Sequence, residues 1–140
     1  MYVCNEFGND MKNIILLLTM MLINPLYAEE LHLDIKSLSG GSINDGVRLA
    51  RGKLICPESH SMFRVWMNSK VERNTYIIYG KVLSNEIRVR LEGVDWLNDK
   101  DKHGIIKNSS AHSSTFNVVS DGNQVAAADE YILSISGVCN

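Results

Sequence analysis

Two histidines and two aspartates stand close together in the sequence and could do chemistry. His103 and His112 lie in the same polar segment as Asp99 and Asp101, so the group could bind a metal or transfer protons. Their spacing fits neither H-x-x-x-H nor H-x-x-E-H, the patterns typical of zinc sites. We therefore expect a solvated loop of mixed charge, with no metal and no cofactor. A small exported hydrolase using residues 93–113 is kept as an alternative.

No other catalytic motif strengthens that alternative. The chain lacks the G-x-S-x-G nucleophile elbow, and Gly40-Gly41 is not followed by the Lys-Ser/Thr of a phosphate-binding loop. We predict no catalytic residues. Nucleic acid is not an expected partner either, because 14 Lys+Arg against 16 Asp+Glu leave no basic surplus to neutralise phosphates.

Basic side chains recur at outward positions of two predicted strands. Arg88 and Arg90 alternate with apolar residues in one strand, while Arg48, Arg51 and Lys53 lie in another. If the strands are neighbours, these cations form a basic stripe suited to an acidic partner. The alternative is that they are ordinary outward residues of half-buried strands.

The two tryptophans are large amphipathic side chains of the kind that anchor binding interfaces. Trp66 has the opposite parity to Val65 in its strand, which predicts that it points outward. We expect one of the two tryptophans, Trp66 or Trp96, to be buried in the core. Our candidates for a receptor-facing surface are Arg88, Arg90 and Trp66.

The beginning of the chain reads as an export signal. Ile14–Ile23 is a run of ten residues, apolar except for one threonine, and it is too short for the roughly 20 residues of a membrane-spanning helix. A lysine precedes the run, and Ala28 supplies a small residue for a peptidase. We predict a signal peptide over 1–28, with Met11 as the true start, and a single domain over 29–140.

Removal of the signal peptide leaves two cysteines. Cys56 and Cys139 are then an even pair in an exported chain, which predicts a disulfide. Two unrelated thiols or a metal pair are the alternatives, but neither residue belongs to a C-x-x-C motif.

Alternation of apolar and polar residues predicts an all-β domain without a helix. The phase slips within the second strand, where Gly52 is the expected site of a β-bulge, and residues 93–113 are expected to form an exposed loop. Seven short strands suggest an antiparallel sandwich. They are predicted near residues 31–35, 47–56, 63–67, 76–79, 87–91, 116–118 and 131–139.

The disulfide conflicts with this set of strands. Cys56 and Cys139 each end a strand, so both strand ends should meet at one pole. That requires an even number of chain reversals between the two strands, whereas the predicted set gives five. One strand is therefore misassigned, or one connection does not reverse the chain.

The last predicted strand resembles strand F of an immunoglobulin-like domain. Asp129-Glu130-Tyr131 precedes it as a tyrosine corner would, and the sequence ends at Asn140, one residue beyond the cysteine. We therefore expect a sandwich that lacks strand G. Its exposed edge would aggregate unless another chain supplies a strand; alternatively, the N-terminal strand closes the sheet.

Four residues are predicted to line the resulting groove. They belong to the strands that would flank the missing one and have inward parity: Leu33, Ile35, Leu133 and Ile135.

Several segments, in the same order, resemble one family over essentially the whole mature chain. The domain resembles the minor tip subunits (AfaD-type invasins) of the Afa/Dr and aggregative-adherence fimbriae of enteroaggregative and diffusely adherent Escherichia coli. The segments are Leu31–Leu33, Asp45–Cys56, Phe63–Asn68, Glu86–Arg90, Asp121–Gln124 and Glu130–Tyr131.

The resemblance implies an immunoglobulin-like subunit without strand G, exported through the periplasm to the fimbrial tip at the cell surface. Its implied partners are a periplasmic chaperone, the outer-membrane usher, a major fimbrial subunit that donates a strand, and a host-cell receptor, for which integrins have been proposed. It also implies a disulfide between Cys56 and Cys139 and a role in adhesion or invasion. Residues 69–85 and 93–115 depart most from the family, so a receptor face in those loops does not carry over.

The position of the first alternating segment predicts where in the fibre this subunit stands. It begins at Leu31, directly after the predicted cleavage site, and we assign it to the domain itself. Such a subunit would accept a strand but not donate one, and would cap the fibre. A self-contained periplasmic binding domain with a complete sheet is the alternative.

Overall fold

The computed structural model describes residues 29–35, 40–72, 75–100 and 103–140. The predicted signal peptide over 1–28 lies outside these ranges, so its cleavage and the start at Met11 stay predictions. The side chain of Ile35 is also outside the described part.

Every regular element in the described ranges is a β-strand, as the alternation predicted. These ranges therefore contain no helix that could cross a membrane. The strands are β1 (Glu30–Ile35), β2 (Gly41–Ile43), β3 (Arg48–Ile55), β4 (Met62–Met67), β5 (Lys70–Glu72), β6 (Thr75–Tyr79), β7 (Glu86–Glu92), β8 (Leu97–Asn98), β9 (Ile105–Asn108), β10 (Ser113–Ser120), β11 (Gln124–Ala126) and β12 (Ile135–Cys139).

The strands form two packed sheets and one small pair. Sheet 1 has the order β1-β3-β10-β7-β6-β5, sheet 2 has the order β12-β4-β9-β8, and β11 pairs with β2. All these pairs are antiparallel. The antiparallel β-sandwich predicted from the sequence is confirmed.

The core lies between the inward faces of the two sheets. Phe63, Val65 and Met67 alternate inward along β4 and are 0% exposed. The ring of Trp96 packs between the sheets, with centroids 6.2 Å from Phe63 and 5.9 Å from Phe116. Burial of each such side chain contributes about 1.5–3 kcal/mol to folding.

The phase slip in β3 comes from a bulge at Leu49, so the prediction of a bulge at Gly52 was wrong. Consecutive residues of β10 pair with Ala50 and Arg48, which makes Leu49 the extra residue. Leu49 and Ala50 are both buried. A bulge shifts the inward phase by one residue without requiring a glycine.

Gly52 instead makes room for Phe116, which lies opposite it in the register. A Cβ atom at position 52 would lie 2.1 Å from Cζ of Phe116. The glycine is therefore explained by an aromatic ring on the neighbouring strand, a contact that local sequence patterns do not contain.

Residues 93–113 do not form the exposed loop that the sequence predicted. They contain β8 and β9, and β9 pairs with β4 inside sheet 2. Trp96 and Ile105 are buried. Strands of two and four residues are too short to show an alternation above the polar background.

The conflict over chain reversals also has a structural answer. β5, which the sequence analysis missed, is a three-residue strand antiparallel to β6. Adding β5 between β4 and β6 raises the number of reversals in the predicted set from five to six. Six is even, as the disulfide between the two strand ends requires.

Candidate functional site

A disulfide joins the ends of two strands in opposite sheets. Cys56 directly follows β3, Cys139 ends β12, and their Cα atoms are 6.0 Å apart. The bond spans 83 positions of sequence. It therefore fixes β12 against β3 at one pole of the sandwich.

The terminal strands β1 and β12 lie on the same side of the sandwich. Within the described residues, β1 pairs with β3 and β12 pairs with β4, each along one edge. Gly137 of β12 packs on Leu54 of β3 so closely that a Cβ atom would lie 3.1 Å from both Cδ atoms of Leu54. We call the outer edges of β1 and β12 together the open side.

Part of the backbone of β12 is directed toward the open side. Asn140 and Met62 exchange two hydrogen bonds, of 3.0 and 2.8 Å. Antiparallel pairing alternates along the strand, so the N–H and C=O groups of Ile135 and Cys139 point away from β4. Another strand could bind these groups.

The predicted groove residues lie along this side at different depths. Leu133 and Ile135 are buried, at 5% and 0% exposure. Leu33 of β1 is half-buried and packs against the core cluster, while the side chain of Ile35 lies outside the described residues. Whether this set binds a donor strand stays a prediction.

Two further residues on this side were missed by the sequence analysis. Leu54 and Gly137 meet across the sandwich beneath the open side. Gly137 shares the inward parity of Ile135 and Cys139, so the alternation itself could have identified it. Leu54 could not have been matched to it without the relative placement of the sheets.

The N-terminal strand does not close sheet 2 in the described residues. β1 pairs with β3 over its whole length, from Glu30 opposite Ile55 to Ile35 opposite Ala50. It therefore belongs to sheet 1. The alternative in which this strand completes the sheet of β12 is wrong for this part of the chain.

A tyrosine corner precedes β12, as the sequence predicted. The hydroxyl of Tyr131 donates a hydrogen bond to the carbonyl of Ala127 at 2.8 Å, and Tyr131 forms a backbone bridge with Gly80. These contacts fix the entry of the chain into β12 against the end of β6.

The carboxylate of Asp129 holds the same corner together. It accepts hydrogen bonds from the side-chain amide of Asn85 at 3.0 Å and from the backbone N–H groups of Glu130, Val82 and Lys81 at 2.6, 3.1 and 3.2 Å. The Asn85 amide first, and then these backbone donors, hold the pKa of Asp129 below its usual range.

Arg90, predicted to face a receptor, is occupied by carboxylates of its own chain. Its guanidinium lies 2.7 Å from Asp45, 2.9 Å from Asp121 and 3.1 Å from Glu92. These bonds, led by the one to Asp45, raise the pKa of Arg90, and the same pair lowers the pKa of Asp45. The role the structure gives Arg90 is to join loops at one end of sheet 1.

The other receptor-facing candidates do not share a surface. Arg88 points outward from β7 in sheet 1, whereas Trp66 points outward from β4 in sheet 2. These outer faces are the two opposite faces of the sandwich, so Arg88 and Trp66 do not contribute to one surface. Whether either residue faces a receptor stays a prediction. The guanidinium of Arg64 covers the Trp66 ring at 4.7 Å and pairs with Asp99 at 3.2 Å.

The prediction of a basic stripe across two neighbouring strands is also wrong. β10 lies between β3 and β7, so the cations of those two strands are not adjacent. Exposed cations remain on β3 at Arg48, Arg51 and Lys53.

The predicted histidine and aspartate group is dispersed. His103 is exposed with its ring centroid 6.0 Å from that of Tyr76, and Asp99 pairs with Arg64. The backbone carbonyl of His112 accepts a hydrogen bond from Cys56, and Asp101 lies outside the described residues. In the described part of the chain, no three His, Cys, Asp or Glu side chains are placed to hold a metal.

Comparison with known proteins identifies the family. The family model described as the Enterobacteria AfaD invasin protein matches residues 39–137. The chain belongs to this family. It is 34% identical to Protein AfaD of Escherichia coli over 128 residues, which are 88% of this chain and 87% of that protein.

Solved structures give the same result. The minor tip subunit HdaB of the E. coli Hda pilus superposes with a TM-score of 0.75 at 31% identity, covering 80% of this chain and 82% of that one. The Salmonella SafD adhesin superposes with a TM-score of 0.76 at 30% identity, covering 80% and 84%. The predicted immunoglobulin-like fold and the AfaD resemblance are confirmed. The family is one of fimbrial subunits and adhesins and is not a known enzyme family.

Proposed function

We propose that this protein is the tip subunit of a chaperone–usher fimbria and that its open side accepts a strand donated by a neighbouring pilin. In this role it contributes to adhesion to host cells or to their invasion. The observation that carries the proposal is the pair of terminal strands, β1 and β12, on one side of the sandwich. Membership of the AfaD family and similarity to the tip subunit HdaB support it.

The open side has the chemistry that strand addition needs. A strand placed along β12 would pair with the N–H and C=O groups of Ile135 and Cys139 and cover the half-buried side chain of Leu33. Main-chain hydrogen bonds would supply affinity, and alternate apolar side chains would supply register. An unfilled edge of this length promotes aggregation.

The assembly route follows from the same edge. The predicted signal peptide over 1–28 would deliver the chain to the periplasm, where the disulfide forms. A chaperone would protect the open side until the outer-membrane usher exchanges it for the donor strand of the major fimbrial subunit. The mature protein would then stand at the fibre tip, outside the cell.

The protein is proposed as an acceptor rather than a donor. The alternating segment Leu31–Ile35, the type of segment a donating subunit gives away, is paired with β3. The remaining partner would be a host-cell receptor, with integrins as the class that the family resemblance implies. We propose no catalytic role, because the histidines and Asp99 are dispersed in contacts with other residues.

Expression of residues 29–140 in two forms tests the proposal. One form is unfused, and the other carries the donor strand of the major fimbrial subunit behind a flexible linker at the C-terminus. We expect the unfused form to aggregate or to require the chaperone, and the fused form to be monomeric with a cooperative unfolding transition. A fused strand with its inward apolar residues replaced by serine is the matched control. An unfused domain that is monomeric and as heat-resistant as the fused one would overturn the proposal.

A further inference from the structure

Three large apolar side chains are exposed together at one corner of the sandwich. Val82, Leu83 and Ile132 are 57%, 75% and 59% exposed. Val82 and Leu83 lie between β6 and β7, and Ile132 lies just before β12. We call these three residues the apolar corner.

Hydrogen bonds bring the two segments of the apolar corner together. Ile132 donates its N–H to the carbonyl of Tyr79 at 3.1 Å. Asp129 accepts the N–H of Val82 at 3.1 Å. The backbones of the two segments are therefore adjacent, although the segments are about 50 residues apart in the sequence.

Hydrogen bonds and close packing hold the turn of the apolar corner in one conformation. Gly80 and Asn85 close the turn by a 2.9 Å hydrogen bond, and Asn85 donates a second bond to the carbonyl of Val82. A Cβ atom at Gly80 would lie 2.2 Å from Asp129 Oδ2, so the turn packs directly on that carboxylate. A preorganised surface loses little conformational entropy when it binds a partner.

An exposed ion pair borders the apolar residues. Lys81 Nζ lies 2.7 Å from Glu130 Oε1, and both side chains are about 70% exposed. An apolar centre with a charged rim is the usual anatomy of a protein–protein interface.

The direction of the donated strand determines what meets this corner. The strand pairs are all antiparallel, so a strand that extends sheet 2 in the same way runs antiparallel to β12. Its C-terminal end then lies beside Ile135, where β12 begins. Ile132 is three residues earlier, a distance of about 10 Å in extended chain. A donating subunit carries its strand as a tail ahead of its first domain strand. Its folded domain would therefore follow the C-terminal end of the donated strand and emerge near the apolar corner.

We infer that the apolar corner docks against the folded domain of the subunit that donates the strand. The inference rests on the proposed function, and it adds a second contact to the strand itself. The junction below the tip is then a fixed contact rather than a free hinge. The occupant is a pilin domain because the donated strand delivers that domain to this corner at high local concentration.

The triple variant Val82→Ser/Leu83→Ser/Ile132→Ser tests the contact. We would co-express it with the whole donor pilin and measure the distribution of distances between the two domains with a pair of fluorescent labels. We expect a narrow distribution for the wild type and a broad one for the variant. The matched control is Val94→Ser/Leu97→Ser, which replaces two residues 80% and 62% exposed elsewhere on the surface and should leave the distribution narrow.

A synthetic peptide of the donor strand separates the inference from the proposed function. Wild type, triple variant and control should bind the peptide equally, because none of the replaced residues lies on the open side. Equal binding with unchanged distance distributions would overturn the docking contact alone. Failure of the wild type to bind the peptide would overturn both. Concentration-dependent dimers of the strand-complemented domain that the triple variant abolishes would assign the corner to a second copy of this chain and overturn the inference.

Discussion

The two sides of the sandwich end in strands of very different length. The open side is bordered by β1 with six residues and β12 with five. The opposite side, which we call the closed side, is bordered by β5 with three residues and β8 with two. Very short edge strands are a common protection against edge-to-edge pairing, and long regular ones invite it.

The contrast shows that the length of an unpaired edge strand, and not only its presence, decides whether another strand can pair with it. Both sides expose a terminal strand of each sheet, yet the closed side offers few backbone groups in sequence to another chain. The open side offers a longer ladder over apolar side chains, and the disulfide holds its strand ends in place. This difference carries the proposal that one side is an acceptor and the other is not.

The largest expected effect comes from releasing the strand ends of the open side. The double variant Cys56→Ala/Cys139→Ala should lower the free energy of unfolding by about 4–5 kcal/mol, because the bond closes a loop of more than 80 residues in the unfolded chain. Denaturant unfolding of the strand-complemented domain measures the change. Reduction of the wild type should reproduce it, and a change below about 1 kcal/mol would contradict the prediction.

A lysine substitution on each side in turn tests whether the open side and the closed side differ in binding the donor strand. Leu33→Lys puts a charge on the half-buried inner face of β1 and should weaken donor-strand binding by about 1–3 kcal/mol, roughly five- to 150-fold. Leu97→Lys, at a residue 62% exposed on the closed side, should change it by less than about 0.5 kcal/mol. Titration with a fluorescent donor-strand peptide measures both. Equal losses for the two variants would mean that the sides are not functionally different.

The smallest effect is a pH dependence at the corner where the open side begins. A depressed pKa means that Asp129 adds stability while it is ionised, and that this stability is lost as the pH falls through its folded pKa. Asp129→Asn should therefore be less stable than the wild type from pH 7 to 5. The gap should narrow as the pH falls below the usual carboxyl pKa of about 4 and then through the lower pKa of folded Asp129. Thermal unfolding of both complemented proteins across this range tests the trend. A gap that stays constant down to pH 2 would contradict it.

Long alternating segments were predictable because the alternation itself shows which residues face inward and which face solvent. The inward residues of β4 and β7 follow from their period of two alone, and the even pair of cysteines that remains after the predicted signal peptide indicated the disulfide. The tyrosine corner was likewise visible as a short motif around Tyr131. In each case the physical cause lies within a few residues or in the oxidising compartment that the predicted signal peptide implies.

Contacts between distant segments were not predictable in this way. Gly52 looked like a bulge because the ring of Phe116 beneath it comes from another strand. Arg90 looked like a receptor contact because Asp45 and Asp121, which neutralise it, come from loops on either side of it in the sequence. The short strands β5, β8 and β9 depend on neighbours that pair with them rather than on a pattern of their own.

The sequence by itself determined the class of fold, the disulfide and the family resemblance, since apolar periodicity and cysteine parity are local or countable properties. Only the tertiary structure decided which strands border the open side and which surfaces face each other, because sheet order arises from the pairing of distant segments. It also separated Trp66 from Arg88 and brought Val82 to Ile132. The candidate acceptor edge thus depends on both: the alternation that makes β1 and β12 strands, and the packing that leaves them at one side of the sandwich.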